Sequence, residues 1–171
     1  MKKLSYILII ASLISASSGA YGQNDEDPVL RIFDKYENRE GVESISISPA
    51  LFGLMGSEAA NDNRTRELIS KITGMRIIAI SGDRGRANRE ALAAELQAVV
   101  RRDFEEIMKV NSSGERIELY VWNKPNCRDC NSALLFITSA TNSLTVMHLA
   151  GTIDKTLIDA VMNGEIGLSG K

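Results

Sequence analysis

The chain has 171 residues, of which 44% are hydrophobic, 5% aromatic and 25% charged, with a formal charge of −2 at pH 7. That is the balance of a globular chain, and its mild acidity speaks against nucleic acid or an anionic membrane as the main partner. Two cysteines and one histidine leave little material for metal or triad chemistry.

Met1-Lys2-Lys3, an apolar run from Leu4 to Ile14, and a small, polar stretch from Ser15 to Gly22 predict a secretory signal peptide. The run falls short of the roughly 18 residues that a spanning helix needs. Ala20 and Gly22 are spaced as the small residues of a cleavage site, so cleavage is expected after Gly22, with a cut after Ala20 as the alternative. No cysteine precedes Cys127, which excludes a lipoprotein-type signal. The mature chain is therefore expected to be soluble, periplasmic or secreted, with no membrane anchor. Losing 22 of the 171 residues leaves 149, and losing Lys2 and Lys3 moves the charge from −2 to −4. That length suits one domain, expected over 29–164 between a short acidic tail at 23–28 and a tail at 165–171.

Asp27-Pro28 reads as an N-cap and first helical position, and Val29, Ile32, Phe33 and Tyr36 recur on one helix face that should end near Gly41. Val42 to Ser48 alternates serines with Ile45 and Ile47, a half-buried strand stopped by Pro49. Pro49 to Met55 predicts a short helical turn, with Gly53 and Gly56 opposing a longer one. Arg64 to Thr73 predicts a helix with Gly74 as its stop. Met75 to Ile80 is apolar almost throughout, which suits the middle of a sheet. The loop Ser81-Gly-Asp-Arg-Gly-Arg86 then leads into a helix from about Asn88 to Phe104, striped by Leu92, Leu96, Val99 and Val100.

Ile107 to Thr152 reads as four strands joined by short turns. Ile117, Leu119 and Val121 alternate with Glu118, Tyr120 and Trp122 after the hairpin connection Asn111-Ser-Ser-Gly114. Leu134 to Thr138 and Leu144 to Leu149 form a second pair across Ala140-Thr-Asn-Ser143. Connections this short make antiparallel neighbours. Thr152 or Asp154 then caps a last helix that Gly164 ends. The order predicts an α+β domain: a mostly antiparallel sheet with a C-terminal four-strand meander and helices mainly on one face.

The sharpest chemical motif is Cys127-Arg-Asp-Cys130. In an exported chain it is most simply a structural disulfide. A redox pair, a metal site and unpaired thiols remain alternatives. A redox CxxC sits at a helix N-terminus, whereas Ser132 to Thr138 reads as strand, and no proline follows Pro125 to face the pair. A zinc site would also need His148 and a carboxylate, so no metal and no cofactor is expected. His148 reads as a structural histidine on a strand. Gly82, Arg84, Gly85 and Arg86 could hold an anion or small ligand through amides and guanidinium groups, though they lack the Lys-Ser/Thr ending of a P-loop. Tyr120 and Trp122 could form an exposed aromatic surface if helices cover only the opposite face; with both faces covered they would be core. Asn63-Arg-Thr65 and Asn111-Ser-Ser113 match the short N-glycosylation pattern. No Gly-x-Ser-x-Gly elbow is present, and one histidine leaves no room for a triad.

Ile32-Phe-Asp-Lys-Tyr36, the strand Val42 to Ser48 running into Pro49-Ala-Leu-Phe52, the hairpin Met108 to Ile117 and the closing Leu149-Ala-Gly-Thr-Ile-Asp154 resemble the DUF4252 family of exported Bacteroidetes proteins, over roughly Val29 to Met162. The resemblance brings no catalytic residues, because the family has no assigned activity. It implies an envelope sensing or feedback role beside sigma factors. Cys127 to Cys130 departs from the family's plain polar turn. The expectation is therefore an exported, non-enzymatic binding or regulatory module whose partner is an envelope protein or small ligand. The alternative is a periplasmic thiol-disulfide protein using the CxxC pair.

Overall fold

The computed structural model describes residues 27–58, 63–122 and 132–163, and among these six strands form one sheet flanked by five helices. Helix α1 (Pro28–Tyr36) begins where Asp27 caps it, its Oδ1 accepting from the Val29 amide at 2.9 Å, with Pro28 at a position where no backbone N–H is needed. Strand β1 (Val42–Ile47) continues through helices α2 (Pro49–Glu58) and α3 (Asn63–Ser70) into β2 (Ile72–Ser81). Helix α4 (Arg86–Asp103) then crosses to β3 (Glu105–Ser112), followed by β4 (Glu115–Trp122), β5 (Ser132–Ala140), β6 (Ser143–Gly151) and helix α5 (Lys155–Met162). The sheet order is β1-β2-β6-β5-β4-β3 and every neighbouring pair is antiparallel. The α+β class and the C-terminal meander, β3 to β6, are as the sequence predicts. Ser113 and Gly114 turn β3 into β4 with φ of 48° and 87°, the left-handed pair of a tight hairpin.

The helices do not gather mainly on one face. Because side chains alternate along a strand, Ile78, Ile80, Tyr120, Leu135, Leu144 and Val146 share one face, where α1 and α4 cover them with Val29, Phe33, Leu92 and Leu96. The other face carries Leu119, Val121, Leu134 and Leu149 beneath Phe52 of α2, Leu68 of α3, and Leu157 and Val161 of α5. The physical reason lies in β5 and β6, which are largely apolar on both sides and would leave a second face in water under a single helix layer. This overturns the exposed-aromatic reading as well: Tyr120 and Trp122 are each only 8% exposed, on the α1/α4 face.

Two local expectations also change. Helix α3 stops at Ser70, and Gly74 lies inside β2 beside a register shift between Ile72 and Gly74, so it serves a bulge rather than a helix end. Helix α2 runs ten residues through Gly53, because packing against α3 and β2 outweighs glycine's poor propensity.

Candidate functional site

The structure gives the polar groups singled out by the sequence mostly structural work. In the loop after β2, Gly82 has φ +70°, donates its amide to the Asn142 carbonyl at 3.0 Å, and accepts on its own carbonyl from Arg89 Nη1 at 3.0 Å. The same Nη1 reaches the Asn142 carbonyl at 3.1 Å, so Arg89 clamps this loop to the β5–β6 turn. Gly85 is there for close approach: an added Cβ would lie 2.3 Å from Ile80 Cγ2 and 3.0 Å from the Gly41 carbonyl oxygen. Arg86 pairs with Asp83 at 2.7 Å, both side chains largely exposed, and Arg84 is exposed as well. Cys127 and Cys130 lie outside the described residues, as does the predicted signal peptide.

One pair escapes sequence reading. His148, 2% exposed on β6, places Nε2 2.6 Å from Oδ2 of Asp27, the residue whose other oxygen caps α1. The Phe33 ring meets the imidazole edge-on at 6.0 Å. A single carboxylate thus starts the first helix and ties it to the sheet, so the histidine is spent on architecture. The only signal was Asp27 as a cap; its partner lies 121 residues away.

At the C-terminal end of α4, Gln97, Arg101, Phe104, Glu106, Lys109, Glu118 and Tyr120 line a cleft of about 220 Å³. Glu118 is buried at 7% exposure and is matched by Lys109 at 2.8 Å. Burial, then the charge of Glu118 and its hydrogen bond, push the Tyr120 phenol up to about 12, so near neutral pH it acts as a donor and not as a base. The cleft can hold a polar group beside the Lys109 ammonium and the Tyr120 hydroxyl.

The other distinctive surface is a strip of small and apolar residues with two threonines. On the face shared with α2, α3 and α5, the row Leu149, Leu134 and Val121 is closed at 2%, 2% and 6% exposure. Two rows further toward the hairpin turns, Ala79, Thr145, Thr138 and Ile117 on β2, β6, β5 and β4 are only half-buried, although none lies on an edge strand. Val110 at one end of that row and Ile45 on β1 are 41% and 56% exposed. The helices stop short of this half of the sheet.

No helix among the described residues is long and apolar enough to cross a membrane. No curated protein matches the sequence. A crystal structure of PA94 from Pseudomonas aeruginosa, a protein of unknown function whose description suggests a regulator, is similar at 9% identity and TM-score 0.34, covering 78% of this chain and 85% of that one. That similarity carries no argument. The model of a domain of unknown function, DUF4252, matches residues 36–161, from the last buried residue of α1 to the last buried turn of α5. Since that match takes in all six strands, the chain belongs to the DUF4252 family.

Proposed function

We propose that this chain is an exported, non-catalytic binding module of the cell envelope, acting in sensing or regulation. The half-open sheet face carries the reading: it is a strip of small and apolar residues with two threonines, left half-buried to exposed where the opposite face is closed. The polar groups support it, because Asp27, His148, Arg89, Arg86 and Glu118 are each committed to a partner within the fold. Export rests on the N-terminal sequence, and a link to sigma-factor signalling rests on the family resemblance.

Hydroxyl-radical footprinting of the purified chain, with and without detergent-solubilised envelope, tests this. Labelling of Ile45, Val110 and Ile117 should fall relative to Met162, which is 51% exposed on α5. Unchanged labelling of the three would remove the face as the binding surface.

A further inference from the structure

The half-open face has a charge pattern as well as an apolar one. In the strand register its outward row runs Ala79, Thr145, Thr138, Ile117 and Val110, with Ile45 one row away. No lysine or arginine from any of the six strands points to this side; its carboxylates are Glu43 on β1 and Glu115 on β4, both exposed, and Arg116 beside Glu115 belongs by alternation to the opposite face. Four inter-strand steps separate those strands, about 19 Å, which is the length of a helix of about 13 residues. The strip runs across the strands, so a partner lying along it would not pair with an edge. The β3 edge is itself guarded by a bulge and by Glu105, Glu106 and Lys109.

We propose that this strip is a docking groove for an amphipathic helix of a partner protein, one whose apolar face meets the row from Ala79 to Val110 and whose basic residues, one group at each end, meet Glu43 and Glu115. The proposal rests on the binding-module reading and specifies the partner's chemistry. Helices with a narrow apolar stripe dock into grooves of this kind, and opposite charge at the rim fixes their register and speeds encounter.

The test uses two labelled 14-residue model helices that share a leucine face, one with lysines at both ends and one with glutamates there, read by fluorescence anisotropy with the purified chain. The lysine helix should bind at least tenfold more tightly than the glutamate helix, and 0.5 M salt should narrow the gap. The variant E43K/E115K, altered at two exposed strand positions, should reverse the preference. Equal binding of both helices, binding by neither, or no response to E43K/E115K would each overturn the proposal. So would sedimentation showing a dimer that Ile45→Asp dissolves, since the occupant would then be a second copy. If neither helix binds but footprinting with envelope still protects the strip, the helix assignment fails and the binding-module reading stands. If the footprint is also unchanged, both fail.

Discussion

Thr145 and Val146 are neighbours on β6, yet they face different worlds. Val146 is wholly buried beneath α1 and α4, whereas Thr145 looks onto the half-open side of the sheet. The closed side is also fastened by charge. Arg76 reaches Asp34 at 2.8 Å and also Glu37, and its guanidinium lies 5.4 Å from the Phe33 ring; Tyr36 donates to Glu95 at 2.9 Å; His148 holds Asp27. On the other side the corresponding tie, Lys71 to Asp154 at 2.8 Å, sits at the covered end near α5. One face is therefore specified by both packing and polar partners, while among the described residues the outer row of the other is only half-buried. Surface that contributes little to stability is free to serve recognition.

The largest effect should come from testing the closed face directly. Val146→Arg would bury a charge with no partner, at a cost of several kcal/mol that matches the whole stability of a typical domain. Circular dichroism should find the variant unfolded, and a cooperative native-like melt would mean that this face is not closed. Next, His148→Leu leaves the Asp27 carboxylate buried without its partner, and should cost about 3 kcal/mol in urea unfolding. The double variant with Asp27→Asn should recover part of that loss, because no stranded charge remains. Two simply additive losses would show that the pair is not coupled.

A smaller, pH-dependent effect comes from Tyr120. Its folded pKa of about 12 lies above the ordinary tyrosine value near 10, so its contribution to stability is complete below pH 10 and is lost as pH rises toward 12. The loss is on the order of 2 kcal/mol. Tyr120→Phe should flatten that alkaline decline, and an unchanged slope would reassign it to other groups. Smaller again, Asp154→Ala removes the α5 cap and should cost about 1 kcal/mol at neutral pH. The hydrogen bond from Lys71, then that from the Leu157 amide, hold the Asp154 carboxyl below its usual value. Its contribution is therefore present above the ordinary carboxylate range and fades as pH falls through that lowered value, and the variant should converge with the parent in acid.

These contrasts also mark what the amino-acid pattern made legible. Helix α1 and its Asp27 cap were readable because stripe and cap are local, and the two hairpins of the meander, β3–β4 and β5–β6, because their turns are short and polar. The covering of both faces was not. By alternation Tyr120 and Trp122 could face solvent or a second helix layer, and only the long crossover through α4 decides that Tyr120 joins a core. Gly74 looked like a helix stop by local rule, but pairing of Ile72 with Gly151 starts the strand before it. The half-open strip left almost no trace, since Ala79, Thr138 and Thr145 are ordinary strand residues until register sets them in one row.

The smallest expected effect sharpens the comparison most. Thr145→Arg introduces the same side chain as Val146→Arg, one residue earlier in the same strand, between Ala79 and Thr138 in the register. If the groove is open, the arginine stem can lie along the apolar strip while its head reaches water toward Glu43 or Glu115, and the midpoint in urea should move by less than about 0.5 kcal/mol. The variant should still lose affinity for the lysine-ended helix, because its charge stands in the middle of the groove. A loss of stability comparable to that of Val146→Arg would mean that the face is closed after all. A stable variant that keeps full affinity would place the helix elsewhere. Only tolerance combined with lost binding fits a surface that the fold holds in place but does not use.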